Sequence, residues 1–524
     1  MIDRRRFVLS VLPAVAGLWR PALAQDQGES HAPSQAAARA ASPGPVTFTI
    51  SAERVVGHLP HYWERVVGSG HARLALRADY RDDLERVHRA TGMQAVRFHG
   101  ILDDDLGVCS LDQRGDVTYN FQYVDEIYDS LVEMGVHPFV ELSFMPQALA
   151  SGDKKVFWYQ GNVTPPKDPD SWAAFVATMA RHLFDRYGAS EVSQWMFEVW
   201  YEPNLDFWSG TQEQYFDFYR HTALALKSVD KRLRVGGPAT AQTAWISEFI
   251  DYCVKNKAPL DFVSTHIYAN DPQNKVFGKP SHYPLEDVIP LALTKVRNEV
   301  AESPLPRLPV YVTEWNSTYR GDDPILQTSF NASFIAHTIK QCHGMVDGMS
   351  YWCFSDVFEE QGVPQNIFGG GFGMIGFRKI LKPSFHVFEL MHKLGSDRLA
   401  VGDGPAIATR RGDGSVAVLV WNMTARDAQG APLPGQALNL RIALRGLGHR
   451  TRMTVTRVDD DHGCALTAYQ KMGSPRYPTL SQLQELRRAS ELPAGEHMLV
   501  NGGAHSEVPL EIPPQGVVLL EFQG

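Results

Sequence analysis

The sequence predicts a (β/α)8 barrel followed by a small accessory β-sandwich. Short apolar, β-rich runs alternate with helical segments from about residue 54 to Lys393, and such alternation is typical of a parallel α/β fold. Eight strand–helix units can be counted, which is the number that closes a barrel. After Lys393 the helical segments give way to short β-rich runs between turn residues, a pattern typical of a β-sandwich.

The predicted barrel strands are short apolar runs. The run at 195–200 is rich in aromatic and β-branched residues, as expected of a parallel strand buried on both faces. It ends before Glu202-Pro203, because proline cannot continue a central strand. We expect the first strand near residues 54–58 or 63–67. The other strands are expected at 95–99, 136–142, 195–200, 233–237, 261–266, 310–314 and 348–353.

The helical segments between these strands show start and stop signals. The segment 79–90 has acidic residues early and arginines late, which suits the helix dipole. Glycines at 92, 135 and 188 follow helical segments and are typical of helix ends. The helices are expected at 79–90, 121–134, 169–187, 212–230, 244–256, 285–301 and 328–343.

These patterns divide the chain into two folded parts, with the barrel at 46–395 and the sandwich at 396–524. A strand signal at 46–50 opens the barrel part. Gly412-Asp413-Gly414 is the clearest turn of the sandwich part. Its strands are expected at 406–409, 416–421, 438–444, 453–458 and 517–522.

The N-terminus resembles an export signal. Arg4-Arg5-Arg6 precedes a mostly apolar run, and Ala22-Leu23-Ala24 fits a cleavage site after Ala24. The paired arginines resemble a twin-arginine signal, although a Sec signal has the same overall layout. We therefore expect a signal peptide at 1–24, a flexible linker at 25–45, and a periplasmic or secreted protein. The rest of the chain predicts no transmembrane helix.

Net charge, cysteine spacing and two short motifs argue against nucleic acid, metal ions and phosphate-bearing cofactors as ligands. The net charge of −9 argues against nucleic acid, since phosphate binding favours a basic surface. None of the five cysteines has metal-ligand spacing, and their odd number favours buried free thiols. Asp103-Asp104-Asp105 lacks the regular spacing of a calcium loop, and Gly68-Ser69-Gly70 lacks the Lys-Ser/Thr of a phosphate loop. No metal and no cofactor is predicted.

Two glutamates carry the functional hypothesis. Glu202 follows the strand at 195–200 and Glu314 ends the strand at 310–314, both at the barrel end where catalytic residues lie. Their strands, the fourth and seventh, face each other across an eight-stranded barrel. Glycoside hydrolysis needs such a pair, with one carboxyl protonated and the other ionised. The sequence therefore predicts a two-carboxylate hydrolase, with a carbohydrate-binding protein on a decayed hydrolase barrel as the alternative.

A family resemblance makes this hypothesis specific. The chain is similar to glycoside hydrolase family 39, the family of β-xylosidases and α-L-iduronidases, over roughly residues 50 to 400. The resemblance implies a retaining double displacement with Glu202 as general acid/base and Glu314 as nucleophile, and a sandwich packed against the barrel. The matching blocks are 67–71, 96–105, 197–208, 235–239, 264–268, 312–315, 351–360, 369–373 and 382–386.

The resemblance also implies a set of sugar-binding residues. His266 and Tyr268 are expected to orient the nucleophile and the sugar. Arg97 and His99 end the second strand and are expected to line the pocket. The remaining candidates are aromatic platforms or carboxylates for sugar hydroxyls, namely Trp208, Trp315, Trp352, Glu359 and Glu360.

One position departs from the family pattern. Tyr201 stands where the family has an asparagine that hydrogen-bonds the sugar 2-hydroxyl, and tyrosine cannot offer both an amide donor and a carbonyl acceptor. We therefore expect an exo-acting, β-xylosidase-like hydrolase of oligo- or polysaccharide whose 2-position is contacted differently. A hydrolase of another sugar, or an endo-acting or disaccharide-releasing enzyme, is the alternative within this class.

Overall fold

The structure, a computed structural model, describes residues 46–401, 404–427, 431–447, 450–500 and 506–523. The predicted signal peptide at 1–24 and linker at 25–45 lie outside these residues. Within the described ranges, no helix combines the length and the apolar character needed to cross a membrane.

Eight parallel strands close into a barrel in the order β4-β5-β6-β7-β8-β1-β2-β3, which confirms the predicted fold class. The strands are β1 (Val67–His71), β2 (Ala95–His99), β3 (His137–Leu142), β4 (Met196–Val199), β5 (Arg234–Thr240), β6 (Phe262–Tyr268), β7 (Val310–Asn316) and β8 (Gly348–Tyr351). The main helices are α1 (Ala78–Thr91), α2 (Gln122–Met134), α3 (Pro169–Val192), α4 (Gln212–Val229), α5 (Ile246–Lys255), α6 (Leu285–Glu302), α7 (Ser329–Gln341) and α8 (Pro383–His392).

The first barrel strand differs from both predicted positions. Strand β1 is Val67–His71, which holds two glycines and therefore lacks an apolar run. Packing explains the glycines, because a Cβ on Gly68 would lie 2.5 Å from the Trp352 ring and one on Gly70 would lie 2.8 Å from the Phe358 ring. Close packing against β8 and its loop therefore requires glycine at these positions, and a strand with two glycines lacks the apolar pattern by which strands are predicted.

The predicted start of the barrel domain at residue 46 is also wrong. Val46–Ser51 pairs with Leu438–Arg445, and Val55–His58 pairs with Asp397–Leu399. Both N-terminal strands thus belong to the accessory sheets, so the accessory part is built from both ends of the described chain. Sequence alternation indicated a strand at 46–50 but could not show its partner, since pairing across about 390 residues leaves no local signal.

The accessory part is a sandwich of two sheets, as predicted. Ile442 and Leu510 from the smaller sheet pack against Val418 and Leu520 from the larger sheet. The smaller sheet contains Val46–Ser51, Leu438–Arg445 and Ser506–Ile512. The larger contains, in spatial order, Val55–His58, Asp397–Leu399, Ala406–Arg410, Val416–Trp421, Val517–Gln523, Thr451–Val458 and Glu496–Val500.

The larger sheet joins the sandwich to the barrel. Side chains alternate along its strands, so Val418 and Leu520 face the sandwich core whereas Leu419 and Leu519 belong to the barrel's hydrophobic core. Helix α7 contacts the strands that carry these residues. The resemblance correctly implied this packing.

The remaining elements are short. Two further helices, Leu466–Lys471 and Leu480–Ser490, pack with Ile380 in a small cluster of their own, and neither they nor α8 were predicted. The other short segments are the helix Gln273–Val276, the 3-10 turns Tyr62–Glu64, Ala72–Leu76, Asp104–Leu106, Ala241–Thr243 and Pro324–Gln327, and the paired strands Cys109–Leu111 with Val117–Tyr119, Lys155–Val156 with Gly161–Asn162, and Ile375–Gly376 with Ile380–Leu381.

The two ends of the barrel lumen differ in polarity. Phe139, Phe262 and Tyr311 meet at ring-centroid distances of 5.5 to 6.1 Å and form an aromatic floor at the amino ends of the strands. The polar side chains Arg97 and Glu314 lie further along their strands and are buried there. Any chemistry in the lumen therefore belongs at the carboxyl ends.

Candidate active site

The loop after β4 positions Glu202. The Tyr215 hydroxyl lies 2.9 Å from the carbonyl oxygen of Val199, the last residue of the strand. The Glu202 amide donates to the carbonyl of Ala239 on β5 at 2.9 Å. Glu202 itself has φ 37, a left-handed conformation that an L-residue keeps only where its surroundings hold it, often at a functional site. The backbone that carries this buried residue is therefore fixed by hydrogen bonds at Val199 and at Glu202 itself.

Strand β7 positions Glu314. The register of β7 against β8 shifts between Val312 and Trp315, so the usual in-and-out alternation is broken at this point. As a result Thr313 and Glu314 both contact polar groups of the lumen, Thr313 Oγ1 donating to Glu198 Oε1 at 2.8 Å. The irregular strand thus directs the Glu314 carboxylate into the barrel.

The two glutamates meet beside His266. One oxygen from each carboxyl and one His266 ring nitrogen all lie within 4.8 Å of one another. His266 Nδ1 is 3.1 Å from Glu202 Oε1 and 3.6 Å from Glu314 Oε2. Retaining glycosidases hold their carboxyl groups about 5 to 5.5 Å apart and inverting ones about 6.5 to 9.5 Å. The spacing therefore suits retention.

A buried arginine organises the carboxylates around it. The Arg97 guanidinium donates to Glu314 Oε1 at 3.1 Å, and it lies 2.6 Å from Glu141 Oε2 and 2.5 Å from Glu198 Oε2. Burial alone would lower the pKa of Arg97, but the three carboxylates outweigh it and raise that pKa. Arg97 is therefore a permanent cation below the nucleophile candidate.

The Glu314 carboxyl experiences opposing influences. Burial raises its pKa well above the ordinary value, and the charges of Glu202 and Glu360 raise it further. The Arg97 charge and the Tyr268 hydroxyl, which donates to Glu314 Oε2 at 2.8 Å, lower it. A second carboxylate close by disfavours the ionised form of Glu314. Arg97 and Tyr268 favour the negative charge on Glu314.

His99 forms one wall of the site. Its Nδ1 is 2.9 Å from Glu141 Oε2, and its Nε2 lies 3.4 Å from Glu360 Oε1 and 3.7 Å from Glu314 Oε1. Burial lowers the pKa of His99 to about 4 despite the nearby Glu360 charge, so the ring is neutral at pH 7. A neutral imidazole offers one donor and one acceptor.

Aromatic side chains complete the wall. The Tyr201 ring lies 4.2 Å from the His99 ring and 5.7 Å from the His266 ring, and the Trp352 ring lies 5.0 Å from that of His99. Phe157, from the long loop after β3, lies 6.0 Å from Tyr201. Tyr201 therefore sits among the residues around the carboxyl pair, in the position next to Glu202.

The structure brings together most of the predicted residues and shows other contacts for three of them. Trp315 is wholly buried and its ring packs edge-to-face on Tyr351 at 5.6 Å, because the residue after an inward-facing Glu314 points outward. Trp208 packs in the same way on Trp200 at 5.3 Å. Glu359 accepts a hydrogen bond from Arg77 at 2.8 Å. That Trp208, Trp315 and Glu359 bind sugar therefore stays a prediction.

Sequence analysis missed Glu141 and Glu198. Both stand inside apolar strands, and both are completely buried. A carboxylate in a buried strand needs a cation or several donors. Arg97 on β2 is that cation for both, although β2 is next to the strand of Glu141 and not next to that of Glu198. An ionisable residue inside an apolar run of the sequence is thus a signal that indicates a buried polar network.

Three groups of described residues could approach a metal ion, although none was predicted. Besides Glu202–His266–Glu314 they are His61–Glu64–His392 and His71–Asp103–Asp105. Glu64 hydrogen-bonds to both histidines of its group, at 2.7 and 3.0 Å, which explains that group as an ion pair network. In the last group His71 Nε2 lies 3.1 Å from Asp103 Oδ2 and 3.5 Å from Asp105 Oδ1.

Known proteins that resemble this chain agree with this geometry. The sequence model of the family described as glycosyl hydrolases family 39 matches residues 46–500. The chain belongs to glycoside hydrolase family 39. It is 40% identical over 458 residues to a β-xylosidase of Caldicellulosiruptor saccharolyticus, covering 85% of this chain and 91% of that protein. A β-xylosidase of Geobacillus stearothermophilus is 40% identical over 442 residues, covering 82% of this chain and 86% of that protein.

A solved structure shows the same likeness. The monomeric β-xylosidase of Caulobacter crescentus CB15 superimposes with a TM-score of 0.85 at 33% identity, covering 91% of this chain and 99% of that one. The family 39 resemblance stated from the sequence is thus confirmed, as is the barrel with its accessory sandwich. The protein is a retaining glycoside hydrolase that acts on carbohydrate.

Proposed function

We propose that this family 39 enzyme is an exo-acting β-xylosidase, which removes one xylosyl unit at a time from a xylo-oligosaccharide. The observation that carries the proposal is the pairing of Glu202 and Glu314 within 4.8 Å at a buried site. The two relatives that are 40% identical over most of the chain are β-xylosidases, which supports xylose as the sugar.

In the first step Glu202 acts as the general acid. It donates its proton to the leaving oxygen as the bond from that oxygen to C1 breaks, while a Glu314 oxygen forms a covalent bond to C1. In the second step Glu202, now a carboxylate, takes a proton from water. The water oxygen bonds to C1 and the bond to Glu314 breaks, which releases xylose of the original anomeric form.

The surrounding residues support these assignments. Arg97 and Tyr268 stabilise negative charge on Glu314, which suits the nucleophile. Burial and the Glu314 charge raise the pKa of Tyr268 well above its ordinary value, so its hydroxyl remains a donor. His266 contacts both carboxyls and so helps to fix their positions relative to each other.

A trapping experiment tests the chemistry. A 2-deoxy-2-fluoroxyloside with a good leaving group should inactivate the enzyme and add one fluoroxylosyl unit to the peptide that contains Glu314, detected by mass spectrometry. Slow turnover of this intermediate follows from the lost 2-hydroxyl contacts, which contribute several kcal/mol in the transition state. A label on another residue would contradict the role of Glu314.

A substrate screen tests the sugar. Aryl xyloside, arabinoside, fucoside, glucoside and mannoside are compared, and the xyloside should give the highest kcat/KM. A preference for another aryl glycoside would favour a different donor sugar, and release of disaccharides from long chains would favour the endo-acting alternative. Binding of oligosaccharide with no hydrolysis on long incubation would favour the binding-protein alternative.

We also propose that Tyr201 contacts the donor sugar next to Glu202. Its ring lies beside His99 and His266, so asparagine at this position would open space in the pocket and offer an amide. If the tyrosine is an adaptation to the true substrate, Tyr201→Asn lowers turnover on that substrate. Higher turnover on xyloside after this change would instead show that tyrosine impairs a plain xylosidase.

A further inference from the structure

A tight hairpin in the loop after β3 exposes a tryptophan. Lys155–Val156 pairs with Gly161–Asn162, and the turn between them holds Trp158. Phe157 and Gln160 flank the turn with φ of 60 and 62, a left-handed conformation that is unfavourable for such residues. Trp158 is 58% exposed whereas its neighbour Phe157 is buried. The hairpin thus keeps a large apolar ring in water at a conformational cost.

The hairpin lies at the rim of the active site. The Trp158 amide donates to the carbonyl oxygen of Glu360 at 2.9 Å. The Glu360 carboxylate in turn lies 3.4 Å from His99 Nε2, and the same nitrogen lies 3.7 Å from Glu314 Oε1. On the inner side, the Phe157 ring lies 5.9 Å from the His99 ring. Trp158 is therefore one residue outward from the pocket wall.

One face of the indole is covered and the rest is open. A Cβ placed on Gly362 would lie 3.5, 3.6 and 3.7 Å from the Trp158 atoms Cδ1, Cγ and Nε1. Nearly equal distances to three adjacent ring atoms place Gly362 over the flat face of the ring, because an approach in the ring plane would separate them more. Gly362 has φ 93 and no side chain, and the adjacent Val363 is 58% exposed.

We propose that Trp158 is a stacking platform for the sugar unit on the leaving-group side of the scissile bond. The inference rests on the proposed exo-acting function. If the donor sugar occupies the pocket at the carboxyls, only the leaving-group sugars extend beyond the rim. The C–H face of a xylosyl unit is apolar and flat, so it can cover the exposed indole and remove that ring from water.

The test compares two substrates that share a donor sugar. Xylobiose places a sugar on the leaving-group side, whereas β-xylosyl fluoride places only a fluoride there. The measured quantity is the ratio of kcat/KM for xylobiose to kcat/KM for the fluoride. Trp158→Ala should lower this ratio about tenfold through lost apolar contact area, mainly by a higher KM for xylobiose. Trp158→Phe, which keeps a smaller platform, should recover part of the loss.

Controls separate this inference from the proposed function. Tyr477→Ala removes another exposed aromatic side chain, 77% exposed on the C-terminal part, and should leave the ratio unchanged. Thermal unfolding of each variant checks that it folds. An unchanged ratio in Trp158→Ala, with wild-type activity on both substrates, would overturn the platform alone. A wild-type enzyme inactive on both substrates would overturn the proposed function and the platform with it.

Discussion

The loop after β4 and the strand β7 each bring a carboxyl group to the same site, but they hold it differently. Glu202 lies in a loop at positive φ and contacts His266. Glu314 lies in a hydrogen-bonded strand between a permanent cation, Arg97, and the Tyr268 hydroxyl. Chemically similar side chains can thus take different roles, because Arg97 and Tyr268 support a negative charge on Glu314.

The largest expected effect separates the two roles by stereochemistry. Glu314→Ala should lower kcat on aryl xylosides about 10⁴-fold, since no covalent intermediate can form. Added azide should then attack from the vacated side and give the inverted α-xylosyl azide. Glu202→Ala on an activated aryl xyloside should still form the intermediate, and azide should give the retained β-xylosyl azide. Products are identified by NMR.

If both variants gave the same xylosyl azide, the assignment of Glu314 as nucleophile and Glu202 as acid/base would be contradicted. An exposed carboxylate provides the matched control. Glu126 lies on the barrel surface with a side chain 60% exposed, and Glu126→Ala should keep wild-type turnover and form no azide product.

The next effect concerns the cation that distinguishes Glu314. Arg97→Met would leave Glu141, Glu198 and Glu314 buried without their cation, and loss of one partner from such a group costs about 3 to 5 kcal/mol. The free energy of unfolding, measured by chemical denaturation near neutral pH, should fall by that amount. Turnover should fall as well, since Glu314 loses the charge that favours its ionised form.

A surface pair provides the comparison for Arg97. Arg441 lies 3.4 Å from Glu507 with side chains 55% and 50% exposed, so Arg441→Met should cost less than about 1 kcal/mol. Similar losses for the two variants would show that the buried network contributes no more than a surface ion pair.

The sequence predicted those features that depend on residues close together in the chain, and it did not predict those that depend on distant pairing. Strand ends, turn glycines and Pro203 are local, and they were enough to predict the eight-fold alternation and to place Glu202 and Glu314 at one end of the barrel. The orientation of Glu314 could not be predicted in this way, because the register shift in β7 that turns it inward is a property of strand pairing. The ring of the next residue, Trp315, packs on Tyr351.

Long-range pairing accounts for the remaining differences. Val46–Ser51 reads as a strand, but its partner lies in Leu438–Arg445, near the other end of the chain. Strand β1 has the opposite problem, because its two glycines suit the rings of Trp352 and Phe358 and weaken the local strand signal. Neighbours that are distant in sequence decided both cases.

A smaller effect tests the hydrogen bond to Glu314. Tyr268→Phe removes the donor 2.8 Å from Glu314 Oε2, and a hydrogen bond to a charged group contributes about 1.5 to 3 kcal/mol. We expect kcat/KM on aryl xyloside to fall about 10- to 100-fold. The hydroxyl lowers the pKa of Glu314, so its loss raises that pKa and moves the acidic limb of the pH profile to higher pH. The exposed Tyr283→Phe should leave both unchanged, and an unmoved limb in Tyr268→Phe would contradict the role of this bond.

The smallest effect concerns Glu141, which shares Arg97 with Glu314. Burial raises the pKa of Glu141 from 4.5 to about 7, with Arg97 opposing this rise. Between these pH values the folded protein keeps a proton on Glu141 that the unfolded chain releases, so the free energy of unfolding falls as pH rises through this window. Glu141→Gln abolishes that titration. Denaturation at pH 5, 6 and 7 should therefore show a decline that is shallower than in wild type by about 1 to 2 kcal/mol, whereas the surface variant Glu126→Gln should keep the wild-type slope. The contrary outcome is a free energy of unfolding that changes equally with pH in Glu141→Gln and in wild type. That result would mean that the Arg97 charge keeps Glu141 ionised throughout this pH range, as it favours the ionised form of Glu314.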